Sequence, residues 1–222
     1  MEMPTVVNPE QWQAAWDDLL VKEKQHLRAG DALAAERRRM PMVRIERDYA
    51  LTGLGGTASL ADLFEGRSQL LVYHFMFEPG ETDVCAGCSL FADNVAELAH
   101  LHARDTTLAL VSRAPIDELE RFRARMGWQI PWYSSHGTSF NDDLILSEGS
   151  AFGLTALLRD ERGSIFRTYY VSGRGVETLG TLWSFLDRTA YGRRERWEDS
   201  PDGWPQTDPY AWWRLHDEYV AT

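Results

Sequence analysis

Cysteine is scarce in this chain, with two among 222 residues, Cys85 and Cys88. A tetrahedral zinc site wants four ligands, and a lone CxxC supplies two of them. Basic charge is also short: 23 Lys and Arg stand against 34 Asp and Glu, a formal net charge of -11. A surface of that sign repels phosphate backbones and anionic lipid, so neither nucleic acid nor membrane is expected as a partner. No run reaches the roughly 18 apolar residues that span a bilayer. The longest, near Leu70 to Phe77, is interrupted by His74. The opening residues MEMPTVVNPEQW carry neither a basic region nor an apolar one. No secretory signal is read, and the expected compartment is the cytoplasm. There a cysteine pair is reduced by default, and a disulfide is usually transient and catalytic.

What is present suits a globular α/β chain. Apolar residues are 44% and charged residues 26%, near the soluble average. Residues 10–39 read as a helix, with Trp12, Trp16, Leu19, Leu20 and Leu27 at three- and four-residue spacing. Asn8 and Pro9 suit its start, Gly30-Asp31 suggest a break, and Pro41 ends it. Strands are predicted over 42–49, 69–77, 106–112 and 130–135. A further pair over 151–171 turns at Asp160 to Gly163. Short helical patterns start at Ser59 and cover 88–104, 115–127 (Gly127 as cap) and 178–190. The order predicts parallel strands finished by an antiparallel pair, a thioredoxin-like arrangement: a central mixed sheet flanked by helices. Beyond it lies a tail over 196–220 with Trp197, Trp204, Trp212 and Trp213 and three prolines. So apolar a segment is expected to dock on its own domain or on a partner subunit.

The cysteines stand in GETDVCAGCSLFAD, after a buried strand and where a helix begins. A thiol there meets the positive end of the helix dipole and free N–H groups, which favour the nucleophilic thiolate. A spacing of two residues puts the second sulfur on the same side, able to attack a mixed disulfide. Cys85 is then the attacking thiol and Cys88 the resolving one. Glu78, Glu81 and Asp83 oppose the thiolate. Three other readings stand beside this one. Cys85 and Cys88 with His74 and His136 could hold copper or zinc. Thr82, three before Cys85, fits part of the peroxiredoxin PxxxTxxC pattern, but Glu78 occupies the proline position. The chain could also be a non-catalytic binding or dimerisation module, a homodimer formed through its Trp-rich tail and N-terminal helix. Of the remaining candidates, His74 reads first as a hydrogen-bonded core histidine and second as a proton acceptor beside the cysteines. His136 and Arg113 follow strand ends at the sheet edge where the CxxC lies, so each is a candidate site residue. Trp128 and Trp132 read as core.

The stretches MPMVRIERDYALTG, LADLFEGRSQLLVYHFMF, CAGCS, LALVSRAP, MGWQIPWYSSHGTSFN and YVSGRGVETLGTLWSFLDRTAYGRRERWEDSPDGWPQTDPYAWWRLHDEY resemble one bacterial family of unknown function. That family is described as predicted dithiol-disulfide oxidoreductases with a thioredoxin-like fold. The resemblance covers nearly the whole chain. It implies one domain over 1–222: a helical extension (1–41), a thioredoxin-like core (42–190) and a Trp/Pro-rich extension (191–222). It also implies Cys85 and Cys88 as the redox residues, no cofactor, and a protein or small-molecule thiol or disulfide as substrate. Thioredoxins place a cis-proline opposite the CxxC; the matching stretch here, GLTALL (153–158), offers Leu154 or Thr155.

Overall fold

A computed structural model of the chain describes residues 3–95, 97–147 and 151–219. The first element, α1 (Pro9–Arg37), carries a reciprocal cap between Asn8 and Gln11. It runs unbroken through Gly30-Asp31, because one glycine costs a helix only about 1 kcal/mol and nothing crowds this one. None of its residues is buried.

Eight strands follow: β1 (Val43–Arg44), β2 (Ala50–Gly53), β3 (Gly56–Ser59), β4 (Gln69–His74), β5 (Thr106–Ser112), β6 (Trp132–Ser134), β7 (Gly153–Arg159) and β8 (Ile165–Val171). They form one mixed sheet in the order β1-β8-β7-β4-β5-β6-β2-β3. The apolar run of β4 suits its central place, parallel to β5 and antiparallel to β7. β7 and β8 form the expected hairpin, whose turn is tied by Ser164 N–H donating to Asp160 Oδ1 at 2.8 Å. The strand expected over 42–49 shrinks to β1. The glycine-rich stretch between Gly53 and Gly56 joins β2 and β3 in a hairpin beside β6.

Helices α2 (Ala86–Asp93), α3 (Ala99–His102), α4 (Ile116–Met126), α5 (Phe140–Leu144) and α6 (Thr181–Leu186) complete the fold. α4 matches its prediction, with Gly127 closing it at φ 67°. The single helix expected over 88–104 does not form; part of that range, Ala96, lies outside the described residues. α2 stops at Asp93, and the next side chain ties it to α6: Asn94 Nδ2 donates to Leu90 O at 2.7 Å, while its Oδ1 accepts from Leu182 N at 2.8 Å and Thr181 Oγ1 at 2.9 Å. The helix expected over 178–190 is instead a 3-10 turn (Gly173–Leu179) followed by α6.

The sheet separates two cores. Tyr73, Phe75, Leu108, Leu110, Trp128 and Trp132 share one face with Cys88. Leu70, Val72, Ala109, Val111 and Phe140 fill the other. Strand alternation dictates this division, since neighbouring residues point to opposite faces. The tail lies on the first side, held there by polar contacts and by apolar packing. Arg125 pairs with Asp217 at 2.7 Å, His216 Nδ1 meets Asp93 at 2.7 Å, and Leu215 is buried. Among the described residues no helix is long and apolar enough to cross a membrane.

Candidate functional site at the cysteine pair

Cys85 is the N-cap of α2. An N-cap side chain accepts from the free N–H groups of the first turn; here Cys88 N–H donates to Cys85 Sγ at 3.2 Å. Both thiols are free. The Cys88 thiol also donates to Cys85 Sγ, and this is the main reason the Cys85 thiol lies below its ordinary 9.0. Burial works against the shift, the backbone N–H groups of Cys88 and Gly87 add to it, and Glu81 opposes it. Glu78 is drawn to Arg113 at 3.4 Å. Cys88 is buried, and burial pushes its thiol well above 9.0. The pair is therefore asymmetric: a thiolate-favouring Cys85 at the edge and a protonated Cys88 beneath it.

Tyr73 lies under the pair. Its hydroxyl hydrogen-bonds Cys88, and its ring stacks on Phe91 with centroids 3.9 Å apart. Burial raises the phenol well above its ordinary 10.0, so Tyr73 stays a donor. Both cysteines line a cavity of about 400 Å³. Tyr73, Met76 and Phe152 wall it on the sheet side. Val176 and Trp183 close a second side, and Tyr210 and Trp213 of the tail a third. Trp213 rests on Gly87, and a Cβ built there would overlap its ring. The Ala-Gly spacer is thus matched to the tail. Phe152, not a proline, faces the cavity ahead of β7. The Ile130–Pro131 bond is trans.

The structure brings Cys85 and Cys88 together and leaves the other sequence candidates apart from them. His74 is fully buried on the opposite face, 5.8 Å from the Phe140 ring centroid. Its Nε2 bonds Thr155 Oγ1 at 2.9 Å, and burial lowers its pKa to about 3. It is a neutral core histidine. His136 is exposed, its Nδ1 3.3 Å from Arg113 O. Arg113 pairs with Asp142 at 2.6 Å. None of the three lines the cysteine cavity. The four-ligand copper or zinc arrangement is corrected accordingly: His74 lies across the sheet from the sulfurs. Among the described residues no group of three or more His, Cys, Asp or Glu is placed to hold a metal ion. Thr82 lines a different depression, beside Arg121 and Phe122.

Sequence reasoning missed Tyr73, Phe152, Arg174, Glu177, Trp183 and the inward role of Trp213. Tyr73 was legible: it is the strand residue whose parity opposes His74. The others converge only through tertiary contacts.

A mixed sheet with a reduced cysteine pair at the start of the helix after its central strand defines a thioredoxin-like α/β protein. The chain belongs to the family described as "Bacterial protein of unknown function (DUF899)", whose model matches residues 1–219. A search of the curated proteins gives no match. Among solved structures, it is similar to a putative thiol:disulfide interchange protein DsbE from Chlorobium tepidum at 14% identity, covering 63% of this chain and 93% of that one, TM-score 0.42. It is similar also to the peroxidoxin BcpB from Mycobacterium tuberculosis at 15% identity, covering 63% of this chain and 96% of that one, TM-score 0.44.

Proposed function

We propose that the chain is a thiol-disulfide oxidoreductase in which Cys85 attacks and Cys88 resolves. The observation that carries this reading is the N-cap hydrogen bond from Cys88 N–H to Cys85 Sγ at 3.2 Å, which favours a thiolate at the accessible sulfur. The Cys85 thiolate attacks one sulfur of a substrate disulfide. That bond breaks, the leaving thiolate takes a proton from water, and a mixed disulfide forms. Cys88 then gives up its proton and attacks Cys85 Sγ, releasing the second substrate thiol. Two electrons have passed to the substrate, and the protein is left with a Cys85–Cys88 disulfide. An external thiol reductant restores the pair. The Tyr73 hydroxyl stabilises the Cys88 thiolate as it forms. Cys85→Ser is expected to abolish reduction of a model disulfide, and Cys88→Ser to accumulate the mixed disulfide, seen by intact-mass spectrometry. Full turnover by Cys85→Ser would end this reading.

We further propose that α1 pairs with α1 of a second copy. Trp12, Trp16, Leu19 and Leu27 form its apolar stripe, and all are exposed. Glu10, Asp17 and Asp18 charge the first half with no Lys or Arg. From Lys22 to Arg39, six basic residues outnumber Glu23, Asp31 and Glu36. An antiparallel pair sets the acidic half of each helix against the basic half of the other. Light scattering is expected to give a dimer for the full chain and a monomer for Trp12→Glu/Trp16→Glu. A full-length monomer would sink the idea.

A further inference from the structure

We propose that the cysteine site takes small, uncharged aromatic or alkyl disulfides, and that the chain's own C-terminal segment excludes the disulfides of folded proteins. The inference rests on the thiol-disulfide reading and adds its substrate class.

Three observations carry it. The cavity of about 400 Å³ falls in the range of small-molecule sites. Its wall is mostly apolar, and its charged side chains are internally balanced. Glu177 is buried and pairs with Arg193 at 2.5 Å and with Arg174 at 3.3 Å. Arg174 in turn lies over the Trp197 ring, 3.7 Å from its centroid. Among the described residues no unmatched cation is left there to receive a carboxylate, so an apolar neutral ligand is favoured over a charged one.

The second observation is where the tail runs. Trp213 packs on Gly87, between the two cysteines, so the backbone beside Cys85 is covered by an indole. A folded protein must bring its disulfide together with flanking chain to that point. A small disulfide needs to bring only its sulfurs and two short substituents.

The third observation is that this wall is fixed. Glu195 is buried in the tail with three N–H donors on its carboxylate: the indoles of Trp197 and Trp212, the latter at 2.8 Å, and the Tyr210 amide at 3.0 Å. Trp213 packs in turn against Tyr210 and Trp183, with ring centroids 4.5 and 6.1 Å away. A protein substrate would have to displace this cluster; a small one fits beside it.

The test uses the reduced full-length chain. Its oxidation is followed by tryptophan fluorescence with dipyridyl disulfide, oxidised glutathione or insulin. Each rate is divided by that of dithiothreitol with the same disulfide, which removes intrinsic reactivity. The normalised rate with dipyridyl disulfide is expected to exceed those with glutathione disulfide and insulin by roughly tenfold or more. Trp213→Ala is expected to narrow the gap by raising the insulin rate, while Trp213→Phe, which keeps an aromatic wall, preserves it. Equal normalised rates for the three disulfides in the unmodified chain would overturn the inference and leave the redox reading standing. Failure to react with any of them would overturn the redox reading itself. The unmodified chain decides between these outcomes even where a Trp213 variant does not fold.

Discussion

Lowering the pH from 7 to 5 should destabilise this protein through one residue, His74. Its ring is fully buried, and its pKa falls from an ordinary 6.5 to about 3, mainly through burial and secondarily through the Arg113 charge. The unfolded chain takes a proton as pH drops below 6.5; the native chain refuses it until about 3. A depressed folded pKa means that the stabilisation is complete above the unfolded value and is lost as pH falls toward the folded one. Each pH unit in that window costs about 1.4 kcal/mol, so the step from 7 to 5 costs about 2 kcal/mol. Asp62, Asp105, Asp142, Asp143 and Asp217 are held low by their hydrogen-bond partners and act with the same sign. Their ordinary value is 3.8, so their loss falls mostly below pH 5. Urea unfolding at pH 7, 6 and 5 checks the argument, with His74→Gln as the non-titrating control that can still bond Thr155. The unmodified chain should lose about 2 kcal/mol more than the variant over this interval. Parallel losses would show that His74 is not the neutral buried group described.

Other outcomes follow from the site. Tyr73→Phe removes the donor to Cys88 and should slow release of the mixed disulfide roughly tenfold, leaving the Cys85 attack unchanged; quenched-flow mass spectrometry separates the two steps. The pH profile of Cys85 alkylation should have its midpoint below 9.0 and move upward in Cys88→Ala, because the Cys88 thiol is the main group favouring the thiolate. Glu195→Ala leaves two indole N–H groups and an amide without their acceptor and should destabilise the tail by about 3 kcal/mol. Limited proteolysis within residues 191–219 would read the change, and Glu195→Gln, which keeps an acceptor, should be milder.

Much of the fold was legible because its signals are local. β5 and α4 follow from an apolar run and from a helical period closed by Gly127. The β7–β8 hairpin follows from Asp160 and Gly163, where φ is 85°. The cysteine pair at a helix start was legible for the same reason. What escaped depends on distant partners. Residues 88–104 carry a helical pattern, yet the helix ends before Asn94, whose side chain bonds both Leu90 of α2 and the start of α6, 87 and 88 residues away. His74 looked close to the cysteines because it is close along the chain. Strand parity already opposed that reading, since Tyr73 and His74 cannot both face α2.

The spacer and the tail show why the site was harder to read than the fold. In the sequence, Gly87 is an unremarked residue between two cysteines, and Trp213 is one of many aromatics near the C-terminus. A glycine early in a helix is locally unfavourable, by about 1 kcal/mol relative to alanine. Its φ is not in the left-handed region, so backbone freedom does not explain it. The Trp213 ring does, because it occupies the space a Cβ would need. The two residues are therefore one specification, written 126 positions apart. Gly87→Ala should displace the indole at a cost of about 1–3 kcal/mol. Near-UV circular dichroism should register the loss of the Trp213–Tyr210 contact while the sheet stays intact. If Gly87→Ala left the spectrum and the unfolding midpoint unchanged, the tail would not be seated on the cysteine helix, and the small-disulfide cavity would lose its outer wall.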